Sequence, residues 1–531
     1  GATNDPKTLK DAGNALFFRM GYTMLWSGWD PDVPRANQNM AVKSPVVPNV
    51  QRVIRDELVN GTRGPQRDTF RLSYEAATLD QAQARLTVRR KQADPRVEVP
   101  VSAWGYVNSR EIRLMPAGSK PAPGSLYEIH YPAKDPKVLG IGFAATRDLV
   151  AFLRNEAGDD QFAPNPAGRG IRAALAVGIS QSGRYLRDFV HQGYNQDESK
   201  RKVFDGVLAH ISGAGGVFLN AEFAQPARTN TQHEDHTYPE NAFPFSAARM
   251  RDPVTRRDEG LLRGDGFDPL WMESNTSTEY WQKAASLLHT DPLGRRDVRL
   301  PANARVYLIA GTQHGGRAGL TAAAGPCANP RNPHSPAPAL RALLVALDEW
   351  VTQGKAPPAS RVPTLASKTL VDAAKTGFPK LPGATIVDFV NEVALFGDWV
   401  HPREATPSPY RPLVTKVDRD GNEVAGIRLP GIAVPLATYT GWNMYQAPFT
   451  EGEICDRDGS YLAFAATQAE RTAKADPRRS LDERYAGQAD YARKVEQAAA
   501  RLVKQRLLLV EDAERYAIAA RSAEVAKLFA R

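Results

Sequence analysis

The sequence predicts an α/β protein built on a mostly parallel sheet flanked by helices. Short apolar runs alternate with amphipathic segments of helical spacing over residues 125–353. One run, 173–179, ends in Gly178-Ile179-Ser180-Gln181-Ser182-Gly183 and passes at once into a segment with Tyr185, Leu186, Phe189 and Val190 on one face. Strand, sharp turn and helix is the setting that lifts a serine hydroxyl out of a sheet. In the pattern small-x-Ser-x-small, Ser180 has Gly178 before it and Ser182 with Gly183 after it. Ser182 fits that pattern poorly, and the competing role for Ser180 is a helix cap.

The chain has 531 residues, room for two or three domains or one large fold with insertions. No apolar run reaches the roughly 18 residues a membrane span needs. The net charge of +9 is spread among mixed acids and bases, with no basic helix interleaved with aromatics, so nucleic acid is not an expected partner. The two cysteines, Cys327 and Cys455, have no zinc-type spacing. They form one disulfide in an oxidising compartment or remain two free thiols. No signal peptide is visible at Gly1; of the compartments, periplasmic or secreted is the one favoured.

In chain order, residues 22–26 read as a strand running into a Ser27-Gly28-Trp29 turn, and 1–39 as the start of the core. Residues 40–120 are short, alternating and turn-bounded, which predicts an antiparallel β-rich insertion. Residues 121–216 carry a core strand at 125–131, a helix from about Phe143, the serine strand and a further strand at 204–211. Residues 217–268 are long, polar and aromatic, which predicts a lid. Their His233 and His236 match no specific metal spacing, and no metal or organic cofactor is expected. Residues 269–360 carry a strand near 270–273, a helix capped within 275–278, a buried strand at 304–310 and a helix at 341–353. Residues 361–531 are an extension, helical from about Ser480, that packs on the core.

The order of groups carries the chemistry. Ser180, Glu279 and His314 each follow a strand, at the C-terminal edge where open parallel sheets bind ligands. Ser…acid…His is the chain order of the α/β-hydrolase triad. A serine hydroxyl needs an imidazole to take its proton, and the imidazole needs a carboxylate to fix its tautomer. His401 is the second choice of base; His210 reads as a core residue and His289 as a helix end. Glu273, Asp235 and Glu222 are the other candidate acids. The Gln181 N–H and the Gly28–Trp29 loop are the expected oxyanion donors. Trp281, Phe245 and Tyr238 are expected to contact an apolar or aromatic part of the substrate; Arg184 and Arg228 either meet a carboxylate on it or, the reading preferred, are surface or ion-pairing residues.

The runs Gly178-Ile-Ser-Gln-Ser-Gly-Arg184, Asn275-Thr-Ser-Thr-Glu-Tyr-Trp281, Ile309-Ala-Gly-Thr-Gln-His314, Pro435-Leu-Ala-Thr-Tyr-Thr-Gly-Trp-Asn443 and Gly140-Ile-Gly-Phe-Ala-Ala-Thr-Arg-Asp148 resemble the large bacterial alpha/beta-hydrolase-domain family along the whole chain. The resemblance implies an α/β-hydrolase fold and serine-esterase-like chemistry on a small-molecule ester, with no settled substrate. An amidase, lactonase or acyltransferase would use the same triad, and a non-catalytic binding protein would keep the scaffold without converging groups. Family members usually carry β-rich sequence before the region of Asn4. With a single sheet strand before the Gly28 loop, a further N-terminal segment of the same protein is expected.

Overall fold

A computed structural model describes residues 7–33, 39–61, 66–168, 170–236, 238–316, 323–382, 384–396 and 406–530. The first half is antiparallel. Strands β1 (Gln51–Val59), β2 (Thr69–Arg71), β3 (Arg85–Arg89), β4 (Trp104–Asn108), β5 (Glu111–Leu114) and β6 (Leu126–Lys134) form two small sheets. The long β6 is central: β1 pairs with it from Gln51 opposite Lys134 to Val59 opposite Leu126, and β3 pairs along its other edge. The second sheet has the order β2-β5-β4. Ile54, Leu86, Ile129 and Tyr131 meet Phe70, Trp104 and Ile112 in a closed core of their own. Alternating sequence produces this arrangement because successive side chains point to opposite faces.

Helix α1 (Ile141–Asn155) leads to the parallel sheet. Its strands are β7 (Leu175–Ile179), β8 (Gly206–His210), β9 (Leu270–Thr276) and β10 (Ala304–Ile309), side by side in chain order and all parallel. One face packs on α1 and α2 (Gln181–His191) through Phe143, Tyr185, Phe189, Val207, Ala209 and Trp271. The other packs on α4 (Ala337–Gln353), which follows the short α3 (Ser277–Gln282), through Leu208, Met272, Tyr307, Leu343 and Leu347. The C-terminal helices α5 (Gln488–Lys504), α6 (Val510–Ala520) and α7 (Ala523–Phe529) close on α4 and on the 434–436 segment. Among the described residues, no helix is long and apolar enough to cross a membrane.

Three expectations are corrected. Residues 22–26 form no strand, although their burial alternates; period-two burial alone does not supply a ladder partner. The run 125–131 falls, from Leu126 on, in β6, whose nine-residue register with β1 holds it in the antiparallel sheet rather than beside β7. The β-rich segment is thus joined by β6 into a separate unit instead of interrupting the parallel sheet. The stretch 217–268 is no exposed flap: much of it is buried between that unit and the parallel sheet. Fixed partners hold it there: the Tyr74 hydroxyl donates to the Ala224 carbonyl at 2.7 Å, and Arg228 pairs with Asp56 at 3.1 Å.

His233 shows how the parts are tied. Its Nδ1 lies 2.9 Å from a Glu453 carboxylate oxygen and its Nε2 lies 2.8 Å from the Gly124 carbonyl. Both partners only accept, so the charged imidazolium alone satisfies both nitrogens. Burial works against that charge, but Glu453 overcomes it and holds the His233 pKa above its ordinary value. Cys327 and Cys455 form a disulfide, 128 residues apart and fully buried.

Two outcomes follow for stability. Replacing both cysteines by alanine should cost about 4 kcal/mol, read as a lower melting temperature; equal melting of oxidised parent and variant would contradict it. A raised histidine pKa contributes stability that is complete below the unfolded value of about 6.5 and is lost as pH rises through the folded value. The melting temperature of the parent should therefore fall, relative to His233→Gln, between pH 6 and 9. Parallel pH dependences would show that His233 is not charged in the folded protein.

Candidate active site

The serine turn is built by close backbone packing. A Cβ on Gly178 would lie 2.3 Å from the Ser182 carbonyl oxygen, and one on Gly183 would lie 3.1 Å from the His210 carbonyl and 3.2 Å from that of Gly178. Glycine at both positions lets the chain fold back on β7. Ser180 takes φ +57° and ψ −116°, a region L residues rarely occupy, and its N–H donates to the His210 carbonyl at 2.8 Å. It occupies the cap position of α2, yet its hydroxyl makes no capping bond. That hydroxyl lies 2.9 Å from Nε2 of His314.

Glu279 is fixed by the start of its own helix. Thr276 ends β9 in an extended conformation and caps α3, with Glu279 at the third helical position completing a capping box. One Glu279 oxygen accepts the Thr276 N–H at 2.8 Å and also the Thr276 hydroxyl. The other lies 2.6 Å from Nδ1 of His314. Glu279 is fully buried; burial alone would raise its pKa, but His314 and the Thr276 bonds hold it below the usual carboxylate value. His314 follows β10 on a loop entered through Gly311 at φ +65°, where a Cβ would strike Ile432. The loop is anchored by Gly459, whose N–H donates to the Gln313 side chain at 2.7 Å, and by the Asn332 amide on the Gly311 carbonyl at 3.0 Å. The fold thus brings Ser180, His314 and Glu279 into one hydrogen-bonded line.

The donors expected for an oxyanion divide. Gln181 opens α2, where backbone N–H groups have no intrahelical partner; its side chain donates to the Pro226 carbonyl at 2.8 Å. The Trp29 indole donates to the Ser182 hydroxyl at 3.2 Å and stacks on Tyr185 with centroids 4.7 Å apart. That contact sets the 28–30 loop beside the serine turn. The glycine at 28 has a packing reason, since a Cβ there would be 2.5 Å from the Met40 carbonyl oxygen.

The side chains expected to meet substrate are placed differently. Tyr238 is 1% exposed and donates to the Val217 carbonyl at 2.7 Å. Phe245 is enclosed against Tyr410, and Trp281 packs edge-on against Trp442. Arg184 is buried on Glu240 at 3.2 Å, which Lys283 shares at 3.0 Å, and Arg228 is held by Asp56 and Asp235. The rings are corrected to core roles, and the arginines take the ion-pair role preferred for them, because burying an unpaired charge or exposing these rings would both be costly. Of the other candidate acids, Glu273 pairs with Arg187 inside β9, Asp235 with Arg228 and Glu222 with Arg52. His210 is buried with Nδ1 2.9 Å from the Ser274 hydroxyl, and burial lowers its pKa to about 4. His401 lies outside the described residues.

The reading of the sequence missed three supports: the Trp29 indole on Ser182, the Gln313–Gly459 tie, and Glu423, which accepts from Ser277 and from the Gly311 N–H. None has a local sequence signal. The T-x-x-E spacing of Thr276 and Glu279, by contrast, is a readable capping box. A potential metal-ligand group among the described residues, Cys327, Cys455 and Asp458, has its two sulfurs bonded to each other, which suits a disulfide and not a cation.

Comparison with the curated proteins and with the solved structures found no match. A family model described as an alpha/beta hydrolase domain matches residues 95–517. The match takes in β7 to β10, the segments carrying Ser180, Glu279 and His314, and most of the C-terminal extension. The chain belongs to the alpha/beta hydrolase domain family.

Proposed function

We propose that the protein is a serine hydrolase that cleaves a carboxylic ester through an acyl-enzyme. The observation that carries this reading is the relay in which the Ser180 hydroxyl meets His314 Nε2 at 2.9 Å while His314 Nδ1 meets Glu279 at 2.6 Å. A carboxylate on Nδ1 requires that nitrogen to bear a proton, which leaves the Nε2 lone pair facing the serine. Ser180 then attacks the ester carbonyl as its proton passes to Nε2, and Glu279 stabilises the imidazolium. The imidazolium gives the proton to the departing alkoxide. Water, deprotonated by the same nitrogen, releases the acid and restores Ser180. The Gln181 N–H is the first donor to the tetrahedral oxyanion. The 28–30 loop, anchored by the Trp29 ring, supplies the second.

The reading is tested on p-nitrophenyl esters of graded acyl length, with amide and lactone analogues alongside. Ser180→Ala should lower kcat/KM by about a millionfold and abolish labelling by a fluorophosphonate. Glu279→Gln should lower kcat by about ten-thousandfold, since the amide cannot stabilise the imidazolium. Turnover or labelling that survives Ser180→Ala would remove the nucleophile, and a Glu279→Gln enzyme of full activity would remove the acid.

A further inference from the structure

Behind the relay lies a second buried carboxylate. Glu423 is 4% exposed, and a single oxygen of it, Oε2, accepts from the Ser277 hydroxyl at 2.5 Å and from the Gly311 N–H at 2.9 Å. Ser277 is the first residue of α3, two before Glu279. Gly311 begins the loop that carries His314, three residues on. The same junction is crossed by Ser277 N–H on the Thr312 carbonyl at 3.1 Å and by Gly311 N–H on the Ser277 hydroxyl at 2.9 Å. Glu423 therefore grips, through one atom, the two segments whose separation sets the Glu279–His314 distance. Its other oxygen, Oε1, accepts no hydrogen bond among the described residues, and the side chain borders a cavity of about 10 Å³ with Tyr439, Thr440 and Trp442.

We propose that Glu423 is a positioning residue: it clamps the acid's helix to the histidine's loop, and its negative charge tightens that clamp. This rests on the serine-hydrolase reading of the site. Hydrogen bonds to an ionised acceptor are about twice as strong as neutral ones. A proton on Oε1 leaves Oε2 as a neutral, weaker acceptor without displacing either donor. Burial raises the Glu423 pKa to about 7 against the opposing bonds of Ser277 and Gly311, so both charge states occur near neutrality. The other charged or titratable groups facing it are few. Arg428 stands nearby at the end of its own segment, drawn to Asp418. Tyr280 comes from α3 with its hydroxyl on His289, and Tyr439 lines the cavity.

Glu423→Gln keeps an oxygen for both donors and removes the charge. Its kcat on a p-nitrophenyl ester should match the parent at pH 6 and fall to about one fifth of it at pH 8.5, with KM unchanged. Stability should move the other way. A carboxyl whose folded pKa lies above its unfolded value loses stability as pH rises from the unfolded value through the folded one. The melting temperature of Glu423→Gln should thus gain on the parent from pH 6 to 8.5 while its activity falls behind. A purely structural role moves both together. If Glu423→Gln does not fold, Ser277→Ala removes one donor and leaves the carboxyl, and should lower kcat in the same pH range. Parental kcat at pH 8.5, or an equal loss at both pH values, overturns the proposal. Ser180→Ala in each background separates the two ideas: activity that survives it defeats the hydrolase reading, whereas activity that needs Ser180 but ignores Glu423 defeats this proposal alone.

Discussion

The fully buried Glu279 carboxylate accepts three hydrogen bonds. Two come from Thr276, its N–H and its hydroxyl, and one from the imidazole of His314. Burying a carboxylate is costly unless it is paired and hydrogen-bonded, and here the Thr276 cap supplies hydrogen bonds while His314 supplies the pairing. Because the cap holds one oxygen, the other cannot rotate away from the ring. The ring in turn cannot tilt without breaking a charge-assisted bond, so Nε2 keeps its aim on the serine turn. The strand end at Thr276, the cap of α3 and the setting of His314 are one constraint seen from three residues.

The same logic explains how a parallel sheet of four strands and a separate antiparallel unit hold together without sharing a ladder. The segment between β8 and β9 fills the space between them, and buried charges on it meet opposite charges from other parts of the chain. Arg228 reaches Asp56 on β1, Arg184 and Lys283 share Glu240, and His233 spans Glu453 and Gly124. Such pairs add less net stability than their number implies, because desolvation offsets most of the attraction. What they do is fix register: each charge has a partner in one arrangement of the parts and none in a shifted one.

How much of this could be read from the chain depends on the range of the forces involved. The glycines at 178 and 183, the T-x-x-E cap and the strand before His314 are local, and local patterns name Ser180, Glu279 and His314. Fold class was legible for the same reason, since β7 to β10 each carry their own apolar run. The partner of a strand is not local. Residues 125–131 read equally well as a parallel or an antiparallel strand until β1 is seen lying along them. The aromatic residues at 238, 245 and 281 looked like a binding surface because their composition suits one, and the arginines at 184 and 228 fitted either such a surface or ion pairs. They are buried instead, since their partners, Glu240, Asp56, Val217, Tyr410 and Trp442, come from other parts of the chain. Glu423 was invisible for that reason too.

Besides Ser277 and Glu279, the loop bearing His314 is held by residues that come later in the chain: Asn332, Glu423, Ile432 and Gly459. A ribosome that has released residue 400 has already made Ser180, Glu279 and His314, but none of the last three of those supports. During synthesis Ser180, His314 and Glu279 therefore exist for some time without all of the contacts that align them. Those supports, and the Cys327–Cys455 bond with them, need the chain as far as Gly459. The order in which residues appear thus places the alignment of these three side chains late in the making of the chain.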